Sequence, residues 1–300
     1  MLLLDGALGT ELEKRGVDVS GGLWSGRALV EVPDKVRQVH ADYVASGVDI
    51  LLTATYQLCD DNLRQQGLDP GTVYARAIEL CRDAAKSGSR GSRVQIAGSI
   101  GPYGAFLANG EEYTGNYGTV TMGTLQKFHR GRLDALEKSP YVDLLAFETV
   151  PSFLEIKAIV GLLSHGTKQW YLSLSVTATS LADGTSFDDV VDWLDAHPDP
   201  KLVAIGANCC GAGVSVEVLK RLDSKLAKTA NLQGVGLVIY PNSGEVYDGE
   251  KKVWTGKKSE FLVAAHEWLR IPRVKIVGGC CRTGPRDIGE LRELIDSKSS

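Results

Sequence analysis

Short β-rich runs recur along the 300 residues, with helical stretches between them, and this alternation predicts an α/β chain closed as a (β/α)8 barrel. Three observations carry the prediction. The runs number eight, at 2–5, 50–56, 94–100, 144–148, 171–176, 202–208, 235–240 and 274–277. Apolar residues recur at helical spacing in most of the gaps. The length matches eight β/α units, whose parallel strands join through right-handed crossovers. A doubly wound open sheet is the alternative topology. No Pro- or Ser-rich linker divides the chain, so 1–300 reads as one domain.

In chain order, the first strand stops at Asp5-Gly6, and a helix follows through Val36, Val39, His40 and Tyr43. The second ends in Thr55-Tyr56-Gln57 and leads to a helix through Val73, Ala77, Leu80, Cys81 and Ala84. The third ends in Ser99-Ile100-Gly101-Pro102 and opens the one exceptional connection, 101–122, rich in Gly, Tyr and Asn. A connection of that length in a compact domain is usually functional or disordered, and Tyr103, Tyr113 and Tyr117 favour function. Helices over 125–136 and 153–163 flank the fourth strand, which ends in Glu148-Thr149. The fifth ends in Ser175-Val176-Thr177, the sixth in Asn208-Cys209-Cys210, the seventh in Tyr240-Pro241-Asn242 and the eighth in Gly279-Cys280-Cys281. Helices over 190–194, 214–226, 261–268 and 288–295 complete the alternation. A barrel of this kind builds its site on the C-terminal strand ends, so polar, aromatic and thiol groups gather at one rim.

Composition excludes several classes. Net charge is −4 with both signs interleaved, which gives no basic stripe for nucleic acid. No apolar run approaches the roughly 18 residues of a membrane span, and Met1–Gly6 lacks the basic region of a signal peptide. Four of the six cysteines form two adjacent pairs, unlike the spaced cysteines of a disulfide framework, so a reducing, cytoplasmic location is expected. The expected partners are small molecules, with the chain a monomer or weak homo-oligomer.

Cys59 and Cys81 read as small buried hydrophobes. Cys280 and Cys281 follow Gly278-Gly279 at a strand's functional end, where packing explains two thiols poorly. A disulfide between neighbours is strained, because Cα atoms about 3.8 Å apart fall below the usual span. Two thiolates from this turn and one from the other strand end can supply three corners of a tetrahedron around Zn²⁺. Three thiolates make zinc a poor activator of water and a good holder of an incoming thiol, so the inferred reaction is alkylation of a bound thiol. The five histidines, His40, His129, His165, His197 and His266, fall away from the strand ends and read as structural. There is no Gly-x-Ser-x-Gly elbow and no P-loop. Asp5 and Glu148 are either capped structural acids or recognise the ammonium of an amino-acid substrate. Trp24, Tyr56, Tyr103, Tyr113 and Tyr117 serve packing or offer aromatic faces to a sulfonium. A barrel with a structural zinc site acting as sensor or scaffold, and an aldolase-like or hydrolytic barrel using Glu148 as base, are the rival readings.

Asp5-Gly6-Ala7-Leu8-Gly9-Thr10-Glu11-Leu12, Leu23-Trp24-Ser25, Gly98–Gly104, Glu112-Tyr113-Thr114-Gly115, Phe147-Glu148-Thr149, Gly206-Ala207-Asn208-Cys209, Tyr240–Glu245 and Gly278–Thr283 closely resemble homocysteine S-methyltransferases, in order, from residue 2 to about 290. The resemblance implies a zinc-dependent (β/α)8 barrel. In it Cys209, Cys280 and Cys281 match the zinc-binding cysteines, and homocysteine sulfur takes the open position. It also implies that Asp5, Gly6 and Glu148 hold the amino-acid end, with Trp24, Tyr56 and Thr149 in the substrate-binding set. Asn242 matches a position that can ligate zinc before the thiol displaces it, and Cys210 has no ligand counterpart. Ala7, Gly21-Gly22 and Ala54 depart from the family pattern at the donor pocket. The compact length, without folate or cobalamin domains, resembles enzymes that take the methyl from S-methylmethionine or S-adenosylmethionine and form methionine.

Overall fold

The computed structural model describes residues 1–19, 23–86, 93–164, 166–248, 253–256 and 260–299. Gly21, Gly22 and His165 therefore lie outside the described residues. The strands are β1 (Leu2–Leu3), β2 (Ile50–Leu52), β3 (Gln95–Ile100), β4 (Leu144–Val150), β5 (Gln169–Leu174), β6 (Leu202–Asn208), β7 (Gly236–Tyr240), β8 (Glu245–Asp248), β9 (Val253–Gly256) and β10 (Val274–Val277). Eight of them form one parallel sheet in the order β1-β10-β7-β6-β5-β4-β3-β2. A parallel bridge between Leu4 and Ile50 joins the outermost pair and closes the barrel. The doubly wound alternative is thereby excluded.

The barrel interior is filled by Leu4, Ile50, Ala97, Ala146, Tyr171, Ala204, Val238, Tyr240 and Ile276, small residues facing large ones. Gly206 is required in β6, because a Cβ there would overlap the Val238 carbonyl of β7. The second core lies between strands and helices. Helix Pro70–Ala85 shows how one face is made: Asp69 accepts the Thr72 N–H at 2.8 Å as N-cap and Pro70 starts the first turn. Val73, Tyr74, Ala77, Ile78, Leu80, Cys81 and Ala84 then fall on its buried side. Each fully buried aliphatic side chain of this kind stabilises the fold by about 1.5–3 kcal/mol.

Each expected strand overlaps an observed one, with three differences. β2 ends at Leu52 rather than at Tyr56. The Thr53 N–H still donates to the Ala97 carbonyl at 3.0 Å, and beyond it hydroxyls take over the pairing: Thr53 Oγ1 accepts the Ser99 N–H at 2.9 Å and Thr55 Oγ1 donates to the Ser99 carbonyl at 2.7 Å. The chain is then free to turn through 54–57, which places Tyr56 in a loop. An antiparallel hairpin, β8 with β9, follows β7 and was not expected from the sequence. The connection 101–122 is partly helical, with a helix at Tyr103–Leu107 and a 3-10 turn at Glu111–Tyr113. None of the described helices is long and apolar enough to cross a membrane.

Candidate functional site

The C-terminal ends of β6 and β10 bring Cys209, Cys280 and Cys281 together, with their sulfur atoms all within 4.8 Å of one another. Cys209 and Cys280 are joined as a disulfide across Cα atoms 5.5 Å apart, and Cys281 Sγ lies 3.9 Å from Cys209 Sγ. The pairing is thus between strand ends and not between sequence neighbours. A metal needs the same sulfurs as thiolates, so disulfide and metal centre are alternative states of one set of atoms. Burial pushes the Cys281 thiol up to about 11, with the Glu112 charge adding to the rise. A divalent cation is the partner that would hold such a buried thiol deprotonated at neutral pH.

Backbone bonds fix the cluster. Cys280 N–H donates to the Pro241 carbonyl at 2.8 Å, Ser243 N–H to the Cys281 carbonyl at 3.1 Å, and Asn242 N–H to the Cys210 carbonyl at 2.9 Å. Asn242 also donates through Nδ2 to the Cys209 carbonyl at 3.2 Å, while its Oδ1 is buried without a partner among the described residues. That oxygen, on a side chain bonded to the Cys209 carbonyl, is a further donor of the kind a metal accepts, and with the three cysteine sulfurs the residues present fit zinc. Cys210 is buried in the apolar core and has no part in the cluster. Cys59 does more than pack, since its Sγ accepts the Asn62 N–H as a helix cap.

Two buried carboxylates face the same interior. Asp5 Oδ2 accepts the Leu52 N–H at 3.0 Å, and Oδ1 has no partner among the described residues. Burial, and then the charge of Glu148, raise the Asp5 carboxyl well above the ordinary range. Burial pushes Glu148 up to about 7 against the opposing effect of hydroxyls. Ser99 Oγ donates to Glu148 Oε1; the Tyr240 hydroxyl faces Glu148 without closing a well-formed bond. Gly6 leaves room for the turn that carries the cysteines: a Cβ there would meet the Thr283 carbonyl at 2.7 Å. Ala7 N–H and the Tyr43 hydroxyl both donate to that carbonyl, at 3.0 and 3.1 Å.

Backbone strain gathers here. Of the five non-glycine residues with positive φ among the described residues, Thr149 (55°), Cys209 (52°) and Arg282 (68°) lie at the rim. A β-branched residue rarely adopts this conformation, and such strain persists where surrounding bonds impose it. Asn208 imposes it on Thr149, accepting the Thr149 N–H and donating to Thr149 Oγ1, both at 2.8 Å. It also accepts from Ser173 Oγ at 2.7 Å and reaches Cys280 Sγ at 3.9 Å. Trp24, also at positive φ, is 42% exposed and makes no hydrogen bond or ring contact with the cluster among the described residues.

Groups unremarked in the sequence hold the rim together. The buried Arg132 guanidinium donates to the carbonyls of Thr55, Tyr56 and Gly101 at 3.2, 2.6 and 2.7 Å, tying the loops after β2 and β3. Glu155 is fully buried and accepts from the Tyr103 N–H, the Tyr117 hydroxyl and His129 Nε2, at 2.7, 2.6 and 2.7 Å. These bonds pin the 101–122 connection over the barrel mouth. The cue for both is their position on helices that reach the strand ends, which helical periodicity alone reads as core or surface.

A closed (β/α)8 barrel with a thiol cluster and buried carboxylates at its C-terminal rim defines a metalloenzyme class. The homocysteine S-methyltransferase profile matches residues 2–295. The homocysteine S-methyltransferase of Escherichia coli (strain K12) is 37% identical over 97% of this chain and 94% of its own length. Crystal structures of the homocysteine methyltransferase MmuM from Escherichia coli superpose with TM-scores of 0.82 for the metallated form and 0.85 for the oxidized form. Both are 35% identical and cover 98% of this chain and 96% of theirs. The chain belongs to the homocysteine S-methyltransferase family and is an enzyme of that family.

Proposed function

We propose that the protein transfers a methyl group from a sulfonium donor, S-methylmethionine or S-adenosylmethionine, to the thiol of homocysteine, forming methionine. The observation that carries this reading is the convergence of Cys209, Cys280 and Cys281 beside two buried carboxylates, one of which has an oxygen without a partner. Cys209, Cys280 and Cys281 would hold zinc, with Asn242 Oδ1 at hand as a further oxygen. Bound there, zinc supplies a Lewis acid that lowers the pKa of an incoming thiol and keeps its sulfur nucleophilic.

The chain's own groups do the rest. Asp5 and Glu148 take the homocysteine ammonium, which meets the unpartnered Asp5 Oδ1. Gly6, whose missing Cβ admits the Thr283 turn, meets the ligand through its backbone, and Thr149, held by Asn208, shapes the floor. Tyr56 and Trp24 offer aromatic faces to the donor. The 101–122 connection, latched through Glu155, excludes water. The homocysteine thiol loses its proton to solvent on binding, before the site closes, and its thiolate sulfur then attacks the donor methyl in line. A carbon–sulfur bond forms to homocysteine while the bond to the donor breaks, its electron pair staying on the departing thioether sulfur. Proximity and alignment supply much of the rate.

This chemistry needs thiolates, which favours a reducing location such as the cytoplasm, where the Cys209–Cys280 pair stays open. Small-molecule chemistry needs no assembly, so we infer one catalytic domain over 1–300 acting as a monomer or weak homo-oligomer. The test is a donor panel against homocysteine, with methionine as the product measured. Turnover is expected with S-methylmethionine or S-adenosylmethionine, and not with betaine. Full activity after zinc is stripped would overturn the reading.

A further inference from the structure

A third buried carboxylate stands on the 101–122 connection. Glu112, in the turn Glu111–Tyr113, is only 5% exposed. Its Oε2 is buried without a hydrogen-bond partner among the described residues. A surface turn normally leaves a glutamate in water, and withdrawing one unpaired is costly unless a cation meets it. The turn is clamped in this position. Gly104 passes so close that a Cβ would overlap the Glu112 amide nitrogen. Gly115 N–H donates to the Glu111 carbonyl at 2.8 Å, and Gly115 itself lies against the Pro151 carbonyl just beyond β4.

The Tyr56 ring lies against Gly101 and the Glu112 backbone against Gly104, both on the segment that leaves β3 at the barrel rim, and Tyr113 is the next residue of the same turn. Asp5 follows β1 and Glu148 lies in β4, and both are assigned above to the homocysteine ammonium. Glu112, on the turn beyond β3, keeps a buried oxygen with no partner among the described residues and no such assignment.

We propose that Glu112, with the rings of Tyr56 and Tyr113, binds the positively charged sulfur of the methyl donor and is a specificity-determining residue of the reaction. The inference rests on the sulfonium-donor reading above. A carboxylate and aromatic faces together match a cation with apolar substituents, which a sulfonium is. Methyl transfer removes that charge, because the electron pair of the broken carbon–sulfur bond stays on the donor sulfur. The same carboxylate then distinguishes donor from neutral thioether product and favours product release. Stabilisation of the donor's ground state belongs in KM and not in kcat.

The test compares Glu112→Gln with the unaltered zinc-loaded enzyme, using calorimetric binding of S-methylmethionine and of methionine, its uncharged thioether counterpart. The variant is expected to bind S-methylmethionine at least about tenfold more weakly, with methionine and homocysteine affinities within about threefold. Donor KM should rise by a similar factor at nearly constant kcat. Homocysteine affinity controls for folding, since a collapsed site would lose it too. Unchanged affinity for S-methylmethionine overturns the proposal. Equal weakening of S-methylmethionine and methionine also overturns it, by assigning Glu112 to the ammonium. If the unaltered enzyme transfers methyl from neither sulfonium, the functional reading itself fails and this inference with it.

Discussion

Glu148 illustrates how one residue couples burial to function. Its carboxyl sits at about 7, raised chiefly by burial, against about 4.3 for an exposed glutamate. Between those values the folded state binds more protons than the unfolded chain, so this stabilising contribution is complete at low pH and lost as pH rises through 7. An arriving ammonium favours the charged form and expels the proton. Binding of methionine, which carries the ammonium but no thiol, is therefore expected to release protons near pH 6.5. Calorimetry in buffers of different ionisation enthalpy reads this; proton uptake would contradict it, and Glu148→Gln should reduce the release, leaving the share contributed by the raised Asp5 carboxyl. Asn208 makes the matching case for strain. Asn208→Ala leaves Thr149 N–H and Ser173 Oγ without their acceptor, at a cost of about 2–4 kcal/mol in denaturant unfolding. At the metal centre, Cys280→Ser removes one of three sulfurs and is expected to abolish both bound zinc, by metal analysis, and turnover.

Among the elements, the 101–122 connection has the least support from regular pairing and the most from side chains. Tyr103, Phe106, Tyr117 and Phe128 form an aromatic cluster, with Tyr103 at 5.4 Å from Tyr117 and 5.2 Å from Phe128 between ring centroids. Glu155, on the helix Phe153–Leu163, anchors it from below. Tyr117→Phe keeps the ring contacts and removes one of the three donors to Glu155. A loss of about 1–2 kcal/mol is expected, confined to this connection. Hydrogen exchange should accelerate across 103–117 while the strands β3 and β4 stay protected. Uniform acceleration would show that the latch supports the whole fold and not the cover alone.

For the whole molecule, zinc bound between the ends of β6 and β10 would link parts of the chain 71 residues apart. Binding to the folded state alone stabilises by about 2.7 kcal/mol at a hundredfold excess over Kd. The reduced protein should therefore melt several degrees higher with zinc than after chelation, and Cys280→Ser should show no such difference. The alternation of eight strands with helices was legible in the sequence as an α/β chain that favours a barrel, because the burial periods of strand and helix are local properties of the chain. Closure of the sheet against the doubly wound alternative was decided by the Leu4–Ile50 bridge. The strand ends were equally legible, and with them Cys209, Cys280, Cys281, Asp5 and Glu148 as groups sharing one rim. Tertiary structure alone decided which of these are paired and which are left without partners. Hydroxyls of Thr53 and Thr55 ended β2 early, Asn208 forced Thr149 into a left-handed conformation, and Arg132, Glu155 and Glu112 came to the mouth from helices and a turn. Such roles depend on contacts between residues far apart in sequence, and local pattern carries no record of them.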